Sequence, residues 1–243
     1  MELSKSENER KRCIKLNSPV YVENSASIVG PKEGTSYFAE GFDKVWKDPF
    51  LGKDSWEEAE SELQKEALDI LLHKACIKEK DVDCIFSGDL LSQSTASSYG
   101  LLSFGIPNYG IYGACSNCGA TLALGAVLLS AGYAEKVVAM TSSHFGSAEK
   151  EFRFPLSYGN QRPPCATWTV TGSGAAVLEK SNGESGIYVT AATPGKIVDY
   201  GITDKANMGA CMAPAAVSTI STHLRDLDLQ PDYYRAPISR QLG

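Results

Sequence analysis

Residues 120–129 constrain the fold of this 243-residue sequence more than any other segment. A helix formed by them is apolar on nearly every face, because only small residues separate Leu122, Leu124, Val127, Leu128 and Leu129. Such a helix is buried in a larger protein or in a membrane. The apolar run is too short to cross a bilayer. The segment therefore predicts a central helix held between two layers of secondary structure.

Strands and helices alternate along most of the sequence. Apolar patterns predict strands at 19–30, 83–88, 110–114, 136–141 and 168–179. Helices are predicted at 57–74, 94–104 and 120–129, and a polar and aromatic excursion occupies 145–164. Because the strands are apolar on both faces, this βαβαβ order predicts an α/β fold with helices packed on a mainly parallel sheet.

Residues 183–186, Gly-Glu-Ser-Gly, are the best candidate for an internal boundary. They divide the chain into an N-terminal half, 1–182, and a partial C-terminal half, 183–243. The second part holds one predicted strand at 187–193 and one predicted helix at 214–227, too little to close a sheet of its own. We expect a dimer partner, or residues missing from this sequence, to cover the outer side of the central helix.

Charge and cysteine content narrow the class of protein. A formal net charge of −6 argues against a general role in binding nucleic acid or membrane surfaces. Seven scattered cysteines, an odd number without regular spacing, indicate a reducing compartment instead of a disulfide framework. The charged N-terminus lacks the apolar core of a signal peptide. We therefore expect a soluble, intracellular protein that binds no nucleic acid.

Cys115 stands between a short predicted strand and the central helix. Free backbone N–H groups and the helix dipole favour an anion at a helix N-terminus, so Cys115 is a plausible nucleophile. With Cys118 it forms a Cys-x-x-Cys pair. Because no second pair of this kind is present, we expect neither a metal site nor a cofactor.

Several motifs resemble signatures of the stage V sporulation protein AD family, a non-catalytic branch of the thiolase and ketoacyl synthase superfamily. They are Ile-Val-Gly-Pro-Lys-Glu-Gly at 28–34, Phe-Ser-Gly-Asp-Leu-Leu at 86–91, Tyr-Gly-Ala-Cys-Ser at 112–116, Thr-Ser-Ser-His at 141–144, and most of the run 152–174. The resemblance covers 19–234. It implies a thiolase-like layered sandwich (αβαβα) with a complete first half and a truncated second half, because related chains continue well past residue 234.

The resemblance also implies a function and partners. Members of the family bind pyridine-2,6-dicarboxylic acid (dipicolinic acid) and take part in moving it, with calcium, into the developing spore. They work with other proteins of the same sporulation operon, several of them membrane proteins. We expect a homodimer, peripheral to the spore inner membrane, in which any calcium is held by the carboxylates of the ligand itself.

Catalysis by Cys115 would need acid/base partners within hydrogen-bond reach, which in the enzymes of the superfamily are usually histidines of the second half. His73 and His223 stand in helical segments without a His-Gly context. We therefore expect Cys115 and Ser116 to line a binding pocket in a protein that is not an enzyme. The alternatives are an acyltransferase with Cys115 as acyl-accepting nucleophile, and an inactive fragment that binds only partner proteins.

Arg153 and Arg162 are candidates for holding the two carboxylates of the ligand. A guanidinium group grips a carboxylate through two parallel hydrogen bonds. The structural alternative is an arginine that anchors its loop by pairing with Glu149, Glu151 or a carbonyl oxygen.

Ser142, Ser143 and His144 end a predicted parallel strand, where α/β sheets usually bind ligands. Trp168 is able to stack on a pyridine ring. The structural alternatives are a turn whose hydroxyls cap the next segment, a His144 that satisfies a buried carbonyl, and an aromatic side chain packed in the core or in a dimer interface.

Overall fold

A mixed β-sheet carries most of the described structure. The computed structural model describes residues 10–152, 168–180, 186–203 and 208–234. These residues divide into two compact units, of which the larger spans Leu16–Thr190 and the smaller takes the described residues before and after it. The chain boundary predicted at residue 183 stays a prediction.

The strands, in chain order, are β1 (Ile14–Val29), β2 (Lys44–Val45), β3 (Cys84–Gly88), β4 (Asn108–Ile111), β5 (Lys136–Ser143), β6 (Gly172–Glu179) and β7 (Tyr188–Ala192). The helices are α1 (Trp56–Lys74), α2 (Thr95–Gly100), α3 (Asn117–Ser130), α4 (Phe145–Phe152) and α5 (Met208–Leu227). Within the part of the chain that the structure describes, no helix combines the length and apolar character needed to cross a bilayer.

The strand order is β2-β1-β6-β5-β3-β4, and β7 pairs with β1 beside this path. β3 is parallel to β4 and β5, and β1 is parallel to β2. β6 is antiparallel to both of its neighbours, β1 and β5, so the prediction of a mainly parallel sheet is wrong in this respect. Gly172 at the start of β6 pairs with Ser143 at the end of β5, so β6 begins at the side of the sheet where β5 ends.

Two helices cover opposite faces of this sheet. In β3, Ile85 belongs to the apolar cluster formed with α1, whereas the next residue, Phe86, belongs to the cluster formed with α3. Leu63 of α1 and Leu129 of α3 are fully buried, while Leu124 of α3 remains 44% exposed. The predicted layering of helices on both faces of a sheet is confirmed, and α3 is buried on the side that faces the sheet.

Two element predictions in the larger unit need correction. The helix predicted at 94–104 is broken, because α2 ends at Gly100 and a separate 3₁₀ turn, Leu102–Phe104, follows it. The excursion predicted at 145–164 begins with α4, which packs against α1. The helix α1 itself matches the prediction closely, and the Ser55 side chain caps it by accepting from the Glu58 N–H at 3.2 Å.

α5 is the main element of the smaller unit. It begins at Met208, before the predicted start at Pro214, which lies inside the helix. The fixed φ of proline suits a helix, although its missing N–H removes one helical hydrogen bond. Asp226 accepts hydrogen bonds from the backbone N–H groups of Arg12 at 2.7 Å and Cys13 at 3.1 Å, which tie the N-terminal segment to α5.

Candidate functional site

One edge of the sheet collects most of the residues that the sequence singles out. The parallel strands β3, β4 and β5 end at this edge, and β6 begins there. We call it the carboxyl edge. Cys115 follows β4, His144 follows β5, and Trp168 precedes β6. Ligand sites of α/β proteins usually lie outside the carboxyl ends of strands, so this edge is the candidate site.

Cys115 lies in a strained turn at the carboxyl edge. Residues Ala114–Ser116 form a 3₁₀ turn immediately before α3. Ala114 has a φ of 47°, in the left-handed region that is unfavourable for a residue with a Cβ. Cys115 is half-buried and Ser116 is exposed, with its Oγ donating to the Gly113 carbonyl at 2.7 Å. The predicted strand–cysteine–helix junction is confirmed, whereas the ligand contact of both residues stays a prediction.

Ser142 and Ser143 are buried at the end of β5. The Ser142 Oγ donates to the Glu60 Oε1 at 3.0 Å and accepts from the Gln64 side-chain N–H at 2.9 Å. The Ser143 Oγ donates to the Val170 carbonyl at 2.6 Å. Both hydroxyls are therefore engaged in hydrogen bonds within the protein, and the predicted ligand role of these serines stays a prediction.

His144 is 2% exposed, and main-chain groups occupy both of its ring nitrogens. The Nε2–H donates to the Pro49 carbonyl at 2.7 Å, and the Nδ1 accepts from the Gly146 N–H at 3.0 Å, a tautomer that these two partners assign. Burial lowers the pKa of the imidazole, although the hydrogen bond to Pro49 acts in the opposite direction. Of the two predicted alternatives, the structure has the one in which His144 satisfies a buried carbonyl.

A buried carboxyl group, that of Glu60, lies beneath the carboxyl edge and was missed by the sequence reasoning. Glu60 is fully buried in α1. It accepts hydrogen bonds from the Ser142 Oγ and, at 2.5 Å, from the Ser147 Oγ. Burial raises the pKa of the Glu60 carboxyl to about 7, and the charge of Asp89 acts in the same direction.

Gln64, one turn after Glu60, extends this buried network toward β3. Its side-chain amide donates to the Ser97 Oγ at 2.9 Å, and Ser97 in turn donates from its Oγ to the Asp89 carboxylate at 2.6 Å. The Asp89 carbonyl then accepts from the Asn117 side-chain N–H at 2.8 Å. A continuous chain of hydrogen bonds thus connects β5, α1, α2 and the start of α3.

Trp168 forms an aromatic and cationic cluster at the same edge. The residue is 49% exposed, and its ring stacks on Phe145, with 4.4 Å between ring centroids. The Lys32 ammonium lies over the Trp168 ring, 3.7 Å from the centroid, a cation–π geometry. Lys32 was not among the predicted residues. Arg153 and Arg162 lie outside the described residues.

The comparisons with known proteins decide the family. Residues 10–243 match the model of the family described as Stage V sporulation protein AD (SpoVAD). The chain belongs to the SpoVAD family. It is 40% identical over 216 residues to the Stage V sporulation protein AD of Bacillus subtilis (strain 168), an alignment that covers 89% of the chain and 63% of that relative. The chain therefore spans less than two thirds of the length of this curated relative.

Solved structures support the fold of this SpoVAD-family chain. A cerulenin-bound OleA variant from Xanthomonas campestris gives a TM-score of 0.59 at 14% identity, covering 89% of this chain and 73% of that one. The 3-oxoacyl-(acyl carrier protein) synthase III, FabH, from Xanthomonas oryzae pv. oryzae gives 0.59 at 13% identity, covering 90% and 76%. At such low identities the likeness shows the fold alone, and the predicted thiolase-like α/β fold is confirmed.

The residues that the sequence reasoning missed in this SpoVAD-family chain carried a recognisable signal. Glu60 and Gln64 are polar residues four positions apart on α1, on the face that also buries Leu63, Ala67 and Leu71. Polar side chains on the apolar face of a helix are buried, and buried polar groups need partners. The pattern therefore predicts a buried polar network, although it does not identify the partners.

Proposed function

We propose that this member of the SpoVAD sporulation family binds dipicolinic acid, as the free acid or its calcium chelate, and supports its uptake into the developing spore. The observation that carries the proposal is the Lys32–Trp168 pair at the carboxyl edge. The Trp168 ring, which stacks on Phe145, holds the ammonium group at this edge, and an ammonium group suits a ligand that bears carboxylates. Arg153 and Arg162 remain proposed partners of the carboxylates, and Cys115 and Ser116 remain proposed walls of the pocket.

The proposal includes no covalent chemistry at Cys115. Both ring nitrogens of His144, the histidine at this edge, are occupied by main-chain groups, so it has no free nitrogen for proton transfer to a substrate. His73, the other histidine of the larger unit, is exposed near the end of α1. These observations favour a binding protein that retains the fold of an enzyme superfamily.

The alternative is an acyltransferase with Cys115 as the acyl acceptor. The left-handed Ala114 favours it, because strained backbone often accompanies functional residues. A fold similar to that of FabH is compatible with either function, since fold alone does not determine activity.

The proposed partners are a second copy of the chain and other proteins of the same operon, including membrane proteins, with the chain peripheral to the spore inner membrane. In the described strand order β4 lies at the end of the sheet, and its Tyr109 side chain is exposed. An open edge strand is able to pair with another chain, which supports a dimer. Light scattering of the purified chain would test this part of the proposal.

Calorimetric titration with dipicolinate tests the ligand. We expect saturable binding to the full chain, and weaker binding of pyridine-3,5-dicarboxylate, whose carboxylates do not flank the ring nitrogen. K32Q and W168A should each weaken binding about tenfold, because each removes an interaction of roughly 1–2 kcal/mol.

Lys180→Gln is the matched control for K32Q. Lys180 follows β6 at the opposite edge of the sheet, and its replacement should leave the affinity unchanged. The absence of any binding by the folded wild-type chain would overturn the proposal. An equal loss of affinity in K180Q and K32Q would show that general charge, and not the Lys32–Trp168 pair, attracts the ligand.

A further inference from the structure

One buried side chain, that of Asn117, spans the turn that carries Cys115. Asn117 is 3% exposed at the first position of α3. Its Oδ1 accepts from the Gly113 N–H at 2.7 Å, and its Nδ2 donates to the Asp89 carbonyl at 2.8 Å. Donor and acceptor partners at opposite ends fix the orientation of the amide. The side chain therefore connects the start of the turn to the segment that follows β3.

The β3 side of this connection is rigid. A Cβ at Gly88 would lie 2.6 Å from the Asn117 Cγ, so the glycine creates the space that Asn117 occupies. Asp89, the next residue, is held by its own carboxylate, which accepts from the backbone N–H groups of Leu91 at 2.9 Å and Ser97 at 2.7 Å. The carbonyl that anchors Asn117 is thus fixed by several independent hydrogen bonds.

The turn side of the connection is strained. A left-handed backbone at alanine persists only where neighbouring contacts hold it, and Ala114 has this conformation. Gly113, the preceding residue, makes three hydrogen bonds. Its N–H donates to the Asn117 Oδ1, and its carbonyl accepts from the Ser116 N–H at 3.0 Å and from the Ser116 Oγ at 2.7 Å. Removing the Asn117 bond leaves only the two bonds from Ser116, which is itself a residue of the turn.

We propose that Asn117 is a positioning residue that holds the strained turn closed, and thereby fixes Cys115 and Ser116 in the wall of the ligand site. The effect on the ligand rests on the proposed function, whereas the effect on the turn does not. Without the two hydrogen bonds of the Asn117 side chain, Ala114 relaxes out of the left-handed region. Cys115, which is half-buried, then becomes more accessible.

The test is the rate at which N-ethylmaleimide alkylates Cys115 relative to Cys118 in the same molecule, followed by peptide mass spectrometry. Cys118 is exposed in the first turn of α3 and serves as an internal reference. In N117A we expect this rate ratio to rise about tenfold, the factor that corresponds to the loss of one buried hydrogen bond. If Asn117 only stabilised the fold, N117A would lower the unfolding midpoint but would leave the ratio of the Cys115 and Cys118 alkylation rates in the folded chain unchanged.

N117D is the second variant, because N117A removes a buried amide and can prevent folding. A protonated carboxyl group donates to the Asp89 carbonyl and accepts from the Gly113 N–H as the amide does, whereas an ionised one faces the Asp89 oxygen with a negative charge. Burial beside the Asp89 carbonyl raises the pKa of the introduced carboxyl above the ordinary aspartate value of about 3.9. The N117D ratio should therefore lie closer to the wild-type ratio at about pH 5 than at about pH 8.

Two outcomes would contradict the proposed role of Asn117. One is an unchanged ratio of Cys115 to Cys118 alkylation in folded N117A, and the other is an N117D ratio that equals the wild-type ratio at both pH values. The same N117D protein should bind dipicolinate less tightly than the wild type at the higher pH. A wild-type chain that binds no dipicolinate would contradict the proposed function, while the alkylation ratio would still decide whether Asn117 holds the turn.

Discussion

Replacement of Glu60 by glutamine should make the protein more stable than the wild type at pH 8, but not at pH 4. The Glu60 carboxyl titrates with a pKa near 4.5 in the unfolded chain and about 7 in the folded one. Below the unfolded value it is protonated in both states. As the pH rises from there toward 7, the unfolded chain loses its proton first, so the folded state loses stability, and above 7 the penalty is constant. The loss amounts to about 3 kcal/mol, since one pKa unit corresponds to about 1.4 kcal/mol.

Urea denaturation at several pH values checks this expectation. Glutamine keeps one acceptor oxygen, for the Ser142 hydroxyl, and its amide N–H donates to the Ser147 Oγ, which itself donates to the His144 carbonyl. Because glutamine does not titrate, the difference in free energy of unfolding between E60Q and the wild type should grow with pH up to about 7. E58Q, the same substitution at an exposed position of α1, is the matched control and should give a small difference in free energy of unfolding. If the difference in free energy of unfolding between E60Q and the wild type did not change with pH, the claim that burial raises the pKa of the Glu60 carboxyl would be contradicted.

Gly100→Ala should destabilise the larger unit by about 3 kcal/mol, at the upper end of the range for overpacked positions. A Cβ at Gly100 would lie 2.5 Å from the Ser61 carbonyl oxygen and 3.2 Å from the Gln64 Cβ. The nearest atom belongs to the backbone of α1, so α2 must move away from α1 as a whole. The movement would also stretch the hydrogen bond between Gln64 and Ser97.

Gly119→Ala is the matched control, because a Cβ at this exposed position in the first turn of α3 meets nothing within 4 Å. There the higher helix propensity of alanine should stabilise the protein by about 0.5–1 kcal/mol. Both variants can be compared by urea denaturation followed by tryptophan fluorescence. A G100A protein as stable as G119A would show that α1 and α2 do not approach each other as closely as described.

The elements that the sequence predicted well are those with a strong local signal. The period of Leu63, Ala67 and Leu71 predicts α1, and it needs no knowledge of distant residues. The direction of β6 was predicted wrongly because an apolar strand reads the same in either direction. α4 was missed because Gly146 and Ser147 are poor helix formers, and packing against α1 outweighs their propensity.

In the candidate site, too, the features with a local sequence signal were predictable and those that depend on distant residues were not. The junction at Cys115 was predictable because a strand, a turn and a helix follow one another within a few residues. The orientation of Ser142 was not, since its hydroxyl meets Glu60, which lies 82 positions earlier in the chain. A serine at the end of a strand suits a ligand site or a buried network equally well, and only the position of α1 decides between them.

The central claim is that this SpoVAD-family chain binds a ligand at the carboxyl edge without forming a bond to Cys115. The most direct test is the intact mass of the full chain after incubation with an acyl thioester such as acetyl-coenzyme A, beside that of C115A. We expect both proteins to keep their unmodified mass, because Cys115 has no histidine available for proton transfer within the described larger unit. An acyl adduct on the wild-type chain that C115A lacks would contradict the claim.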